Sequence, residues 1–247
     1  MAKIDDMMTA IKEEAVRNYP QESCGLILKN NKKFTTIACK NISGEPKSSF
    51  TICPVDYAKA TELGEVVGVW HTHVEIPPRA SDADKVGCER SGLPWYIVSI
   101  RKKGEEFEFE GPNRIEPESF EMPYLERPYE ENVFNCYTIV QDYYKREFDI
   151  SLGDYPFRLS DGTPAATEKF KSCYEKEGFV RLHDEEPKNG DIFMMQISAD
   201  SPNHVGVYVG EGAFIHHQTG RLSRKDIYGG FWKKHTTHHL RYKDMTK

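Results

Sequence analysis

The sequence feature that most constrains the fold is a proline-rich, acidic segment in the middle of the chain. Residues 111–131 contain four prolines and many glutamates, without the period of a helix or a strand. Proline has no backbone N–H, so such a segment does not continue a regular element. Helical and strand patterns alternate on both sides of it. We therefore expect an α/β (α+β) protein of two domains, residues 1–112 and 128–247, joined by a linker at residues 113–127.

Composition is typical of a globular protein and excludes several classes. Hydrophobic residues make up 38% of the 247 residues, which is enough for one or two cores. Thirty-three Lys and Arg against 39 Asp and Glu give a formal charge of −6, without the basic excess of a nucleic-acid binder. No stretch approaches the roughly 20 apolar residues that a membrane helix needs. We expect neither nucleic-acid binding nor membrane insertion.

The chain start and the cysteines both indicate a reducing compartment. The first residues have neither the basic start nor the apolar run of a secretion signal, so we expect synthesis in the cytoplasm. The six cysteines are scattered and include no CxxC pair. In such a chain, free thiols are expected rather than a disulfide framework.

The periodicity of apolar residues predicts the regular elements of each half. For the N-terminal half we expect helices at 4–18, 56–63 and from residue 82, and strands at 25–28, 34–38, 66–74, 95–100 and 106–109. For the C-terminal half we expect helices at 136–148 and 167–178, and strands at 191–196, 204–209, 213–217 and near 238–242.

The first group with chemical potential is His71-x-His73 in a predicted strand, followed by Asp84. Residues two apart in a strand point to the same face, so both imidazoles can reach one ion. Asp84 falls in the first turn of the next predicted helix, for which Ser81 is a natural N-cap. Three protein ligands with an open fourth position are the arrangement of catalytic zinc. A lone His-x-His is more often incidental than metal-binding, so the case for a metal site depends on the surrounding residues.

Those residues resemble the JAMM (Mov34/PAD-1-like) metalloprotease motif. The motif is a Glu, then His-x-His, seven residues, Ser, two residues and Asp, and Glu22, His71, His73, Ser81 and Asp84 match it without a gap. The resemblance implies a mixed sheet with flanking helices, and Zn²⁺ held by the two histidines and the aspartate. It also implies that Glu22 moves the proton of the attacking water and that Ser81 binds the developing oxyanion. For Ser81 alone, a helix cap is an equally good interpretation.

The second group is Cys136 at the start of a predicted helix, with His204 at the start of an apolar strand. A helix N-terminus stabilises a thiolate through its free N–H groups. Most single cysteines are small buried hydrophobes, so a catalytic function requires a partner base. His204 is a candidate for that base.

These residues resemble the NlpC-type, papain-like cysteine peptidases. That family has Asp or Asn before the cysteine, a Pro-x-x-Gly-Asp turn and a His-Val-Gly strand, which here are Asn135-Cys136, residues 187–191 and residues 204–206. The resemblance implies that Cys136 is the nucleophile, His204 its base and His216 the orienting residue. From the residues alone, a two-residue turn at 211–212 places His217 on the face of His204, and a three-residue turn places His216 there.

The order of the two domains resembles the lambda-type phage tail tip assembly protein K family. That resemblance implies a tail assembly protein made in the host cytoplasm, which acts with other tail tip proteins and, from the virion tail, on the periplasmic cell wall. The implied partners are peptidoglycan stem peptides for the cysteine domain; for the metal domain, a wall cross-link or a tail protein. Two alternatives stay open. One is a structural or chaperone-like tail component, and the other is a host peptidase of the cytoplasm.

Overall fold

The computed structural model describes residues 4–31, 33–130, 133–155 and 172–245. The chain divides into two compact units, Met1–Glu121 and Met122–Lys247. Each unit combines one β-sheet with helices, so the predicted two-domain α+β fold is confirmed. Among the described residues, no helix is both long and apolar enough to span a membrane.

The first unit is a five-stranded mixed sheet with three helices. Its elements are α1 (Ile4–Asn18), β1 (Cys24–Asn30), β2 (Lys33–Cys39), α2 (Pro54–Leu63), β3 (Glu65–Val74), α3 (Asp82–Ser91), β4 (Trp95–Lys103) and β5 (Glu106–Ile115). The strand order is β2-β1-β3-β4-β5, in which only β3 and β4 pair in parallel. The central strand β3 therefore has a neighbour on each side, and the helix that links it to its parallel neighbour is α3.

The second unit is a six-stranded antiparallel sheet with a long helix on one face. Its elements are α4 (Cys136–Phe148), β6 (Phe179–Leu182), β7 (Ile192–Met195), β8 (His204–Gly210), β9 (Ala213–His216), β10 (Arg224–Ile227), α5 (Gly230–His235) and β11 (Thr236–Tyr242), and a 3₁₀ turn, Lys243–Met245, follows. The strand order is β10-β9-β8-β7-β11-β6. The apolar residues Ile139, Val140 and Tyr144 of α4 are fully buried in the cluster that includes Val205 and Val207 of β8.

The last strand of the first unit is longer than predicted. The sequence predicts a strand at 106–109, but β5 continues to Ile115 through the cis Gly111–Pro112 peptide. The ladder with β4 shifts register between Ile97 and Ser99, opposite this point. Proline is tolerated there because β5 is an edge strand with an irregularity.

Three further elements of the second unit differ from expectation. Strands β6 and β10 and helix α5 are short, with four to six residues, and were not predicted. Residues 172–176 are helical, in agreement with the C-terminal part of the helix predicted at 167–178. Residues 177–178, at the end of that prediction, form a turn, and residues 167–171 lie outside the described residues.

Part of the proline-rich segment is fixed to the second unit by Arg127. Its side chain is fully buried, forms an ion pair with Asp142 of α4, and donates to the carbonyls of Met122 and Pro123. The Arg127 backbone is also bonded to Ser223, through the Ser223 hydroxyl at 2.8 Å and the Ser223 N–H at 3.0 Å. The residues around Arg127 are therefore an integral part of the second unit.

We expect Arg127→Ala to destabilise the second unit strongly. The substitution removes the cation that pairs with Asp142 and donates to the carbonyls of Met122 and Pro123, and breaking such a pair typically costs about 3 kcal/mol. Urea unfolding followed by hydrogen exchange of the α4 amides measures the effect. Arg221→Ala, at an exposed position, is the control and is expected to change the free energy of unfolding by less than about 0.5 kcal/mol. Equal effects of the two variants would contradict the proposed anchor.

Candidate active sites

The first site is a cluster of His71, His73 and Asp84, all buried in the first unit. One ligand atom from each lies within 4.8 Å of the others. His71 Nε2 is 3.1 Å from Asp84 Oδ1, and His73 Nε2 is 3.3 Å from Asp84 Oδ2. The structure thus brings together the three residues that the sequence singled out as metal ligands.

Local sequence explains this convergence. His71 and His73 are two residues apart in the central strand β3, so their side chains leave the same face. Asp84 is the third residue of α3, and a capping box fixes that turn. Ser81 Oγ accepts from the Asp84 N–H at 3.1 Å, and Asp84 Oδ2 accepts from the Ser81 N–H at 2.7 Å. The carboxylate is therefore held in one position by the helix start.

The hydrogen bonding of the two imidazoles fits a metal ion. His73 Nδ1 lies 3.0 Å from the Pro77 carbonyl, so Nδ1 carries the proton and Nε2 keeps its lone pair. His71 is fully buried, and in the described part of the chain neither of its ring nitrogens has a hydrogen-bond partner. Two histidines and one aspartate are a typical donor set for zinc. The residues present therefore fit the group that the motif implies.

The charges of the cluster depend on one another. Burial opposes ionisation of Asp84, but its interactions with His71, His73 and Ser81 outweigh that effect and hold its pKa well below the usual range. Burial also acts to lower the pKa of His73, yet contacts with Asp84 and the Pro77 carbonyl raise it overall. For His71, burial dominates and lowers the pKa. An ionised carboxylate next to a neutral imidazole is the state that binds a cation.

Glu22 and Ser81 lie at this cluster in different ways. Glu22 is buried and precedes β1, in which Cys24 is paired with His71. The Thr72 N–H donates to the Ser23 carbonyl at 2.9 Å, so the antiparallel run brings Glu22 towards His73. The Glu22 charge contributes to the raised pKa of His73. Ser81 Oγ donates to Asp84 Oδ2 at 2.8 Å, so its hydroxyl is both a helix cap and a contact of the cluster.

The second site lies where α4 begins beside β8. Cys136 is the first residue of α4, and the Asn135 side chain accepts from the N–H groups of Tyr137 and Thr138, both at 2.9 Å. The Thr138 hydroxyl in turn accepts from the Asn135 N–H at 2.9 Å. This capping box fixes the backbone on both sides of the cysteine. The Val205 N–H, next to His204, is directed at the thiol.

His204 belongs to a line of polar side chains across three strands. His204 Nε2 lies 3.0 Å from His216 Nδ1, and His216 Nε2 lies 3.2 Å from Asp226 Oδ2. His204 and His216 are almost fully buried. Phe214 stacks on the His216 ring at 4.6 Å, and Trp232 meets it edge-on at 4.5 Å. The two imidazoles are therefore fixed by hydrogen bonds and enclosed by aromatic rings.

The question of His216 or His217 is decided geometrically by a β-bulge. The loop between β8 and β9 is the two-residue turn 211–212, but the register then shifts, so that Tyr208 pairs with Phe214 and Gly206 with His216. The extra residue in β8 reverses the face expected for a regular two-residue hairpin. The ring of His216 therefore contacts His204. His217 points elsewhere, and its Nε2 lies 3.0 Å from the Arg221 carbonyl.

Burial dominates the acid–base properties of this site. It raises the pKa of the Cys136 thiol to about 11, although the N–H groups of Val205, Cys136 and Tyr137 act in the opposite direction. The sequence led us to expect a stabilised thiolate at the helix start, but desolvation outweighs the helix N–H groups. Burial also lowers the pKa of His204 to about 3 and that of His216 to about 4. The resting site therefore holds a thiol and neutral imidazoles.

Sequence reasoning missed Asp226 and Trp232. Asp226 is in the short strand β10, and its contact with His216 depends on the pairing of β9 with β10, in which Arg224 lies opposite His216. Trp232 lies in α5, a helix of six residues with too little sequence to show a period. An aspartate ten residues after a suspected catalytic histidine is the signal that could have been followed.

Comparison with known proteins matches the chain to two families. The family of prokaryotic homologs of the JAB domain matches residues 5–110, and the NlpC/P60 family matches residues 104–241. Tail tip assembly protein K of Escherichia phage N15 is 34% identical over 237 residues, which cover 96% of this chain and 94% of that protein. The chain belongs to the tail tip assembly protein K family. The family resemblance expected from the two motifs is confirmed.

Two other relatives extend the similarity. Tail tip assembly protein K of Escherichia phage lambda is 27% identical over 184 residues, 74% of this chain and 85% of that protein. Desampylase of Pyrococcus furiosus is 32% identical over 98 residues, 37% of this chain and 68% of that protein. This K homologue thus carries two domains of peptidase families, a JAB domain and an NlpC/P60 domain, and a buried His-His-Asp group that fits a metal.

We expect the first site to bind one zinc ion per chain. Calorimetric titration of metal-stripped protein with Zn²⁺ measures the affinity. Asp84→Asn is expected to weaken binding by more than about 100-fold, beyond the loss typical of an outer contact. Asp82→Asn, two residues away and exposed, is the matched control and should bind as the wild type does. Circular dichroism of the metal-free proteins checks that both variants fold. Equal zinc affinity of the two variants would contradict a ligand function for Asp84.

We expect Cys136 to react slowly with iodoacetamide at neutral pH. Because the folded pKa of about 11 lies above the usual value near 8.5, the thiolate forms later in the folded protein than in the unfolded chain. The alkylation rate should rise about tenfold per pH unit between pH 7 and 9.5. Mass spectrometry of the Cys136 peptide separates it from the other cysteines, and protein in urea is the control. Faster alkylation of the folded protein at pH 7 would refute the raised pKa.

Proposed function

We propose that the second unit is a cysteine endopeptidase that cleaves peptidoglycan stem peptides at the bond between γ-D-glutamate and the diamino acid. The observation that carries this proposal is the hydrogen-bonded pair His204–His216 beside a capped helix start that bears Cys136. A nucleophile next to a base, with a third group that orients the base, is the recurring arrangement of covalent acyl transfer.

The proposed reaction starts from the neutral Cys136 thiol and the neutral His204 imidazole. His204 takes the thiol proton as the sulfur of Cys136 attacks the scissile carbonyl, so an S–C bond forms while the proton moves to imidazole. The imidazolium then protonates the leaving amine as the C–N bond breaks. Water hydrolyses the thioester with His204 as base, and the proton returns to sulfur. The N–H groups of Val205 and Tyr137 face the charge that develops on sulfur.

For the first unit we propose zinc-dependent hydrolysis of an amide or isopeptide bond. His71, His73 and Asp84 would hold Zn²⁺, which when bound polarises the carbonyl and acidifies a water. Glu22 would accept the water proton and pass it to the leaving amine. Ser81 would release its hydrogen bond to Asp84 Oδ2 and donate that proton to the oxyanion. The similarity to the archaeal desampylase supports an enzymatic function. We propose two substrate classes for this unit, a peptidoglycan cross-link and a tail protein that is processed.

The relatives also support a place of action. Both phage relatives are named for tail tip assembly, so we propose that the chain works with other tail tip proteins in the host cytoplasm. Its cysteine site would meet peptidoglycan when the tail reaches the periplasm.

One observation favours a second candidate, a structural tail component. Cys136 is only 5% exposed and its thiol is neutral, which is also how a buried cysteine without catalytic function behaves. In that case, the enclosed histidines would stabilise the fold and the tail would assemble without hydrolysis.

We expect purified Gram-negative peptidoglycan to release stem-peptide fragments with wild-type protein and none with Cys136→Ala. Mass spectrometry of the fragments identifies the bond. Cys173→Ala, at a half-buried position, is the matched control and should release the wild-type fragments.

The His71→Ala/His73→Ala variant separates the two units in the same assay. Loss of fragments in this variant would indicate that the first unit also acts on peptidoglycan. Unchanged fragments would favour a protein substrate for the first unit. Undiminished release by Cys136→Ala would overturn the proposal for the second unit. Folded, zinc-loaded protein that releases nothing, while the doubly inactive chain still supports tail assembly, would favour the structural candidate.

A further inference from the structure

The hydrogen-bonded line in the second unit does not end at the two histidines. It continues from His216 Nε2 to the carboxylate of Asp226, 3.2 Å away, on the edge strand β10. The Arg224 guanidinium lies 2.9 Å from the same oxygen, Asp226 Oδ2, and places a positive charge beside the carboxylate. Asp226 is partly exposed, whereas both imidazoles that precede it are buried.

The carboxylate determines where every proton in this line sits. An ionised carboxylate only accepts hydrogen bonds, so the proton of the contact belongs to His216 Nε2. A neutral imidazole carries one N–H, so His216 Nδ1 must accept. His204 Nε2, 3.0 Å from that atom, must therefore donate. The remaining nitrogen of His204, Nδ1, keeps its lone pair.

This argument requires both imidazoles to be neutral, and the structure provides that condition. Burial lowers the pKa of His204 and of His216 well below neutrality. Both ring nitrogens of His216 are already engaged, one by each neighbour, so the ring is fixed at its two ends. The aromatic rings of Phe214 and Trp232 pack against the His216 ring and fix the orientation of its plane.

We propose that Asp226 is a positioning residue, which acts through His216 to hold His204 in the one tautomer that can take the proton of Cys136. The inference rests on the proposed cysteine-peptidase function of the second unit, but the tautomer assignment itself concerns only side chains in the structure. Without the acceptor at Asp226, His216 can reverse its N–H, and His204 Nδ1 then carries a proton and cannot act as a base.

Nitrogen-15 NMR of the histidine rings tests the assignment without any substrate. We expect His204 and His216 of the wild type to be protonated at Nε2 only, with signals assigned from the His204→Gln and His216→Gln variants. In Asp226→Ala, both rings should show a mixture of the two tautomers. Asp200→Ala, an exposed aspartate of the same unit, is the matched control and should leave both rings as in the wild type.

Stem-peptide hydrolysis by the same proteins gives the catalytic consequence. We expect Asp226→Ala to lower kcat by about 100-fold with little change in KM, a loss at the lower end of general-base contributions. Added formate should restore part of kcat, which a merely structural defect would not show. A His204 ring protonated at Nδ1 in the wild type, or rings unchanged in Asp226→Ala, would overturn the inference. Absence of hydrolysis by wild type with the expected tautomers would instead refute the proposed function alone.

Discussion

The structure around both candidate sites depends on the surroundings of their four buried imidazoles. His71, His73, His204 and His216 are between 0% and 6% exposed, and an unsatisfied buried polar group typically costs about 1–3 kcal/mol. Asp84, from the start of α3, lies beside both His71 and His73, and Asp226, from β10, lies beside His216, which in turn contacts His204. Those elements are themselves fixed, α3 by its capping box and β10 by its ladder with β9. Each carboxylate is therefore held in place by the element that carries it.

The parts that could be predicted from the sequence are those with local causes. Alternation in a strand puts His71 and His73 on one face, and Ser81 marks a helix start three residues before Asp84. The two motifs in this order predicted the family and the two-domain fold. Whether His216 or His217 faces His204 depends instead on the register between β8 and β9, which an extra residue in β8 changes. A single residue in a bulge reverses which side chains face the site, and no periodicity reveals it.

Two other differences have the same kind of cause, since tertiary context outweighs a local preference. Proline and glycine at residues 111–112 indicate the end of a strand, but β5 continues through them because its outer edge has no neighbour in the sheet and β4 tolerates a register shift. The helix start at Cys136 favours a thiolate, but the core around α4 and β8 desolvates the sulfur, and the thiol form is retained. Both outcomes require knowing what packs against the element.

The buried imidazoles of the two sites differ in their hydrogen-bond partners, and this difference agrees with the chemistry proposed for each site. At His204 and His216 the hydrogen-bonded line ends at Asp226, and the tautomers proposed for this line leave one lone pair of His204 for a base. At His71 no ring nitrogen has a hydrogen-bond partner within the described chain, while Asp84 stays ionised beside it. A buried imidazole without hydrogen-bond partners beside an ionised carboxylate is an arrangement that a cation would stabilise. The same two residue types, histidine and aspartate, therefore suit the proposed general base in one unit and the proposed metal site in the other.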